Sequence, residues 1–178
     1  MKYYNELKNA MQMLSNHKDT IFIGQSISYA GTGLYDTVAH IPPSKKYEFP
    51  IVENLQMGVS TGLALSGLIP VSLYPRWNFL LCATDQIVNH LDKMSLMSDG
   101  EYQPKVIIRV AVGSEYPINP QDQHKGDFTE AFKLMVKTID IIKLNEPSEI
   151  IPAYEFALNR NDGKSTILVE VADFCKTK

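Results

Sequence analysis

The chain has 178 residues, of which 44% are hydrophobic and 21% charged, with a formal net charge of −3. These values suit a single soluble domain, residues 1–178, with a sizeable core. Acidic and basic residues are mixed along the sequence, which gives no reason to expect nucleic acid or an anionic membrane as a partner.

Taken in order, Tyr3 to Leu14 spaces Tyr3, Leu7, Ala10, Met11 and Leu14 as one face of an amphipathic helix. Polar and acidic residues in this first stretch break any continuous apolar core, so it does not read as a signal peptide. Asn16 to Asp19 form a turn, and Thr20 to Gly24 is a short apolar strand. The segment Gln25 to Gly33 is small and polar. A glycine-bearing loop after a first strand suggests phosphate binding, but this one lacks both GxGxxG and the P-loop lysine, and we assign it no chemistry. Leu34 to Val38 suits a short helix, and Ile41 to Lys46 a proline-containing connection.

The stretch Glu48 to Phe79 organises the rest. Pro50 forces Phe49 out of helical dihedrals, and Ile51-Val52 reads as an apolar extended strand. Glu53 then opens a helix in which Leu55, Val59 and Leu63 share one face. Gly58, Gly62 and Ser66 form a second, nearly bare ridge, and Gly67 and Pro70 end the helix. Each interior glycine costs about 1 kcal/mol against alanine, so the ridge predicts a close approach by a neighbouring element. No apolar run reaches the roughly 20 residues that span a bilayer, which excludes a membrane dimer. Ile69 to Tyr74 is a buried strand, followed by the aromatic residues Tyr74, Trp77 and Phe79 just past its C-terminal end, where parallel sheets bind ligands. A first-turn glutamate such as Glu53 is either a stabiliser of the helix dipole or a functional carboxylate. Phe79 is either core or a ligand contact.

Leu80 to Met97 reads as a second long helix with Ile87, Leu91 and Met94 on one face. Its polar residues Asp85, Asn89 and His90 suit a subunit contact better than catalysis. Lys105 to Val110 is a strand buried on both faces, and Gly113 to Gln123 is a loop with two prolines. Phe128 to Val136 is helical, Asp140 to Leu144 a strand, Pro147 to Asn159 a helix with proline in its first turn, and Thr166 to Val171 the last strand. Alternation of strands and helices predicts a three-layer α/β/α domain with a mostly parallel sheet of about six strands. The two cysteines, Cys82 and Cys175, lie far apart and suit reduced thiols in a cytoplasmic protein.

The run Pro50-Ile51-Val52-Glu53, with Gly58, Gly62, Gly67 to Pro70, Asn78-Phe79 and Asp85 to Asn89, resembles the beta subunit of 2-oxo acid dehydrogenase E1 components. That subunit carries the pyrimidine-binding domain of the transketolase-like thiamine diphosphate enzymes. The likeness continues through Met97 to Gly100, Pro104, Ile108-Arg109, Gly113 and Gln123-His124, and ends near Glu170.

The resemblance implies that thiamine diphosphate is the cofactor and that Glu53 is the catalytic glutamate hydrogen-bonded to the aminopyrimidine ring nitrogen. Phe79, with Trp77 beside it, falls where the family stacks an aromatic ring on the pyrimidine. His124 matches a cleft-lining histidine, although Lys125-Gly126 replaces the family's Ser-Gln after it, so a surface loop histidine is the other reading. Arg76, another departure, either meets an anionic substrate or is solvated. The family binds the diphosphate and Mg²⁺ on a separate domain with a Gly-Asp-Gly motif and a later asparagine. Here Ser98-Asp99-Gly100 is the nearest string, no suitable asparagine follows, and we expect no metal ligands in this chain.

The expectation is therefore a stand-alone pyrimidine-binding domain of a split enzyme. A separate subunit would hold the diphosphate and Mg²⁺, in a heterotetramer acting on a 2-oxo acid or sugar. The alternative is a non-catalytic scaffold or regulatory relative of E1 beta subunits.

Overall fold

The computed structural model describes residues 2–113 and 119–176. Six strands form one fully parallel sheet: β1 (Thr20–Gly24), β2 (Lys46–Glu48), β3 (Ile69–Tyr74), β4 (Ile107–Val112), β5 (Asp140–Leu144) and β6 (Thr166–Val171). Their order is β2-β1-β3-β4-β6-β5. The helices are α1 (Tyr3–Asn16), α2 (Gly33–Val38), α3 (Glu53–Leu65), α4 (Trp77–Leu80), α5 (Asp92–Met97), α6 (Thr129–Met135) and α7 (Pro147–Asn159). One core, built on Leu7, Met11, Leu14, Phe22, Leu73 and Tyr154, joins α1 and α7 to the sheet. The second, with Met57, Trp77, Leu80, Ile87, Ile108 and Phe132, lies on the opposite face. The three-layer α/β/α expectation holds. Successive side chains of β4 serve the two faces in turn, which is why both cores draw on one β-branched run.

Four element boundaries depart from the sequence reading. Ile51 and Val52 are not a strand; they lie in an exposed bend, and the edge strand is Lys46–Glu48. Its Phe22↔Lys46 and Gly24↔Glu48 register leaves the apolar pair beyond the last paired residue. The run expected as one helix over Leu80 to Met97 is broken into a 3₁₀ turn at Leu81–Ala83, a π-helical stretch at Gln86–Leu91 and α5. β4 starts two residues later than Lys105, whose ammonium is drawn aside to the carbonyls of Leu158 and Arg160. Residues 114–118 of the expected Gly113 to Gln123 loop lie outside the described residues; Gln121–His124 is a 3₁₀ turn.

Helix α3 sits on the sheet with its polar row inward. Glu53, Gln56, Met57, Ser60 and Thr61, at helical spacing, are buried. Gln56 Nε2 donates to Ser72 Oγ at 3.1 Å and to the Leu73 carbonyl at 3.1 Å, and Ser60 Oγ donates to Ser72 Oγ at 3.1 Å. The opposite row, Leu55, Val59 and Leu65, is exposed together with Ile51 and Val52. A Cβ on Gly62 would meet nothing within 4 Å, whereas one on Gly58 would come 3.3 Å from Gln86 Oε1. Among the described residues, the close approach expected of the glycine ridge is therefore met at Gly58 and not at Gly62.

Across the sheet, Arg109 of β4 forms a two-pronged ion pair with Glu170 of β6, at 2.6 and 2.9 Å. Tyr154 of α7 donates to the same carboxylate at 2.7 Å, and Arg109 donates to Thr37 Oγ1 at 2.8 Å. Burial opposes the charged guanidinium, but the Glu170 carboxylate outweighs it and holds Arg109 above its ordinary pKa. The pair and its hydrogen bonds tie α2 and α7 to the middle of β4 and the C-terminal end of β6. Removing one member leaves a buried charge alone, which costs about 3–5 kcal/mol. Arg109→Leu should lower the free energy of urea unfolding by that amount, and a loss below 1 kcal/mol would show that the network is not part of the fold's stability.

Near the same network, burial and then the Glu170 charge push the Cys175 thiol up to about 11. Cys175 is half-buried and stays protonated at neutral pH, while Cys82 is exposed. Alkylation at pH 8 followed by peptide mass spectrometry should modify Cys82 well before Cys175; equal labelling would contradict this placement.

Candidate active site

The sheet order reverses at β1: β2 pairs on one side of it and β3 on the other. Loops leaving the C-terminal ends of two such strands diverge, and the crevice between them is where open α/β sheets hold ligands. Here the crevice is framed by the segment after β1, the start of α3 and the segment after β3.

The segment after β1 is built around a carboxylate of the chain itself. Glu48, at the end of β2, accepts the backbone N–H groups of Ser26 at 2.5 Å, Ile27 at 2.9 Å and Ser28 at 2.9 Å. Ser26 adopts a left-handed φ of 59° to turn its amide inward. The amides of Ser26, Ile27 and Ser28 are thus engaged within the fold by a carboxylate of the chain itself. At Gly24 a Cβ would stand 2.8 Å from the Leu73 carbonyl, so only glycine lets the chain leave β1 this close to β3.

The result is a fixed Gln25. Its side chain is buried, and Nε2 donates to Glu53 Oε1 at 3.0 Å. Glu53 is 8% exposed and is the first residue of α3. A carboxylate there gains from the helix dipole, yet its side chain is also anchored across the crevice, which a simple dipole-stabilising residue on the surface would not be. A glutamine amide nitrogen can only donate, so it meets an oxygen that accepts, and the second oxygen, Oε2, is left for other partners. Under the carboxylate, the Tyr74 hydroxyl donates to the Glu53 backbone carbonyl at 3.4 Å. Burial pushes the Tyr74 pKa far above its ordinary value, the Glu53 charge adds to this and the Ser72 hydrogen bond opposes it, so the hydroxyl remains neutral.

Beyond β3, α4 separates the two aromatic candidates. Trp77 is fully buried, with its ring tilted on Phe132 at 4.8 Å, and it belongs to the core under α4. Phe79 is half-buried, and its ring stacks on His124 with centroids 4.9 Å apart and planes 19° apart. The structure thus brings Phe79 and His124 together and sets Trp77 apart in the core. Asn78 Oδ1, His124 Nδ1 and Trp77 Nε1 are buried and have no hydrogen-bond partner among the described residues. Such orphaned atoms are uncommon in a finished fold. Arg76 is half-buried, and its Nη1 donates to the carbonyls of Gly113 at 2.9 Å and His124 at 3.2 Å, backbone partners that neither of the two sequence readings named. Gln25, Glu48 and Asn78 were given no site role from the sequence, although Asn78 stands in the run that carries the resemblance. Only the polarity of Gln25 and Glu48 at strand ends could have marked them.

Among the described residues no three His, Cys, Asp or Glu side chains group as a metal site. Asp99 and Gly100 occupy a turn after α5 with φ values of 50° and 85°. Asp85, Asn89 and His90 are exposed, and Asn89 donates to Asp85 at 2.8 Å. No helix among the described residues is long and apolar enough to cross a membrane.

No family model matches the chain. Among curated proteins it is similar to the mitochondrial pyruvate dehydrogenase E1 component subunit beta of Ascaris suum, with 33% identity over 86 residues, 48% of this chain and 23% of that protein. It is also similar to the 3-methyl-2-oxobutanoate dehydrogenase subunit beta of Mycobacterium tuberculosis, with 26% identity over 121 residues, 66% of this chain and 32% of that one. The pyruvate dehydrogenase E1 component subunit beta of Rickettsia conorii is 29% identical over 133 residues, 71% of this chain and 39% of the relative. These matches thus span well under half the length of the curated relatives. Among solved structures, a split gene transketolase described as an inactive beta4 tetramer superposes with a TM-score of 0.71 at 14% identity, over 96% of this chain and 51% of that one, a likeness of fold. Sequence likeness to E1 beta subunits, joined to this fold, supports a place for the chain in the superfamily of transketolase- and E1-beta-like pyrimidine-binding domains, without singling out one member.

Proposed function

We propose that the chain is the pyrimidine-binding part of a thiamine diphosphate enzyme whose active site is completed by a separate subunit, acting on a 2-oxo acid or a ketose donor. The observation that carries this reading is Glu53: a buried carboxylate at the β1/β3 crevice with one oxygen anchored by Gln25. The residues fit an aminopyrimidine. Glu53 Oε2 can hold a proton at a ring nitrogen, Phe79 offers a half-buried aromatic ring, and the orphaned Asn78 Oδ1 and His124 Nδ1 are an acceptor and a polar nitrogen beside it. When bound, the cofactor supplies an acidic ring carbon and an electron sink for cleaving a bond next to a carbonyl. The chain's own contribution is to fix the pyrimidine end, exclude water and pass a proton at Glu53 Oε2, while Gln25 keeps Oε1 an acceptor.

A second subunit would hold the diphosphate and Mg²⁺. The outer row of α3 supports this. Leu55, Val59 and Leu65 are exposed beside Gly62, whose helix cost of about 1 kcal/mol has no compensating contact among the described residues. Contiguous exposed apolar surface of this kind marks an interface. A split-gene transketolase whose beta chains form an inactive tetramer is a precedent for such an arrangement. By that precedent this chain alone is inactive; the working assembly that we propose is a heterotetramer with the second subunit, in the cytoplasm.

The test is reconstitution. The purified chain should show no turnover of 2-oxo acids, and adding a subunit that carries the diphosphate and Mg²⁺ site should restore it. Robust turnover by this chain alone would contradict the reading, and assembly without turnover would favour a scaffold. Gly62→Leu has open space in the isolated chain and removes the glycine's helix cost, so circular dichroism should match wild type and unfolding should show no loss of stability, with a gain of up to about 1 kcal/mol. Sedimentation should nonetheless show assembly lost. If Gly62→Leu assembled normally, α3 would not be the contact.

A further inference from the structure

Arg76 lies between β3 and α4, two residues past the last residue of the strand and three before Phe79. Its guanidinium nitrogen donates to two backbone carbonyls that are distant in sequence: Gly113, directly after β4, at 2.9 Å and His124, at the end of the 3₁₀ turn, at 3.2 Å. The same turn delivers the imidazole that stacks on Phe79. One cation therefore gathers the end of β4, the backbone of His124 and the start of α4, and both stacked rings sit on segments that it touches or adjoins. Hydrogen bonds from a charged donor are about twice as strong as neutral ones, and the planar guanidinium presents its donors in a fixed fork. Both bonds come from Nη1, whose two N–H groups are held in the guanidinium plane, whereas a lysine ammonium is a point charge on a flexible stem. The site is also partly shielded: burial pulls the Arg76 pKa below its ordinary value, with the Asp173 charge opposing.

We propose that Arg76 is a positioning residue, whose hydrogen bonds to the Gly113 and His124 carbonyls keep the His124 imidazole stacked on Phe79, and that it is not an anion-binding residue for substrate. The relevance of the stack to catalysis rests on the proposed thiamine diphosphate reading; the positioning itself does not. The proposal has a reader in the isolated chain. A ring held face to face on Phe79 has its protons shifted upfield by the ring current of the neighbour. In wild type the His124 imidazole protons should show that displacement in ¹H–¹³C spectra, and Phe79→Leu should abolish it, which assigns its source. Arg76→Gln, which keeps a polar side chain but loses the charge and the fork, should fold and lose most of the displacement. Arg76→Lys should recover only part of it.

Three results would overturn the proposal. The displacement could survive Arg76→Gln unchanged. Arg76→Gln could fail to fold, which would make Arg76 a folding residue. In the assembled enzyme, Arg76→Gln could raise KM for an anionic substrate while the His124 signals stay in place, which would make it a substrate contact. A lowered kcat with KM near wild type, together with the lost displacement, is the expected pattern. Loss of the displacement with no change in turnover would leave the positioning intact and instead remove His124 from the proposed function.

Discussion

The polar underside of α3 is the constraint on which the site depends. Gln56 and Ser60 hydrogen-bond to Ser72 and to the backbone of β3 beneath the helix, in a setting closed to water. Leaving such groups unpaired in a buried place costs about 1–3 kcal/mol each, so the helix cannot rotate about its axis without paying that penalty. Because Gln56 and Ser60 face the sheet, Glu53, one turn before Gln56, faces inward as well. For the same reason the apolar row of Leu55 and Val59 faces outward. One packing decision thus turns the Glu53 carboxylate toward the crevice and leaves an apolar surface exposed.

The crevice is then made rigid from two sides. Glu48 collects three amides of the segment after β1, which fixes Gln25 against Glu53. Arg76 collects the carbonyls that hold His124 near Phe79. Each device uses a charge of the chain to saturate backbone groups of a loop, and each places a side chain that the proposed chemistry uses. Preorganisation of this kind lets a group act without reorganising when its ligand arrives.

Much of the fold was legible from the sequence because short apolar runs bounded by turn signals alternate with periodic helices. Ile69 to Tyr74, Thr166 to Val171 and the edge strand Asp140 to Leu144, with its Ile141-Ile142 centre, have matching bounds. The edge strand Lys46–Glu48 was missed because an exposed edge carries no apolar pattern, while the apolar Ile51-Val52 drew attention to the wrong pair. In α3 the apolar periodicity was real but belonged to the outer face; the inward face is polar, and nothing in a one-dimensional pattern says which row meets the sheet. Glu53 and Phe79 were legible through a resemblance, and the structure sets Phe79 on His124. The places of Gln25 and Glu48 were not legible, since they come from contacts between residues distant in sequence; Asn78 was marked only by its place in the resemblance. Trp77 followed the aromatic cluster in sequence and the core in space.

The claim on which the account turns is that Glu53 exchanges a proton rather than merely accepting a hydrogen bond. Glutamine at this position can donate to a ring nitrogen but cannot give up or take a proton. The direct measurement is hydrogen–deuterium exchange at the thiazolium C2 of thiamine diphosphate in the reconstituted complex, followed by NMR after acid quench, with Glu53→Gln beside wild type. The account predicts that Glu53→Gln assembles, binds the cofactor and exchanges on the order of 10²-fold or more slowly. Exchange within a few-fold of wild type would remove Glu53 from the chemistry.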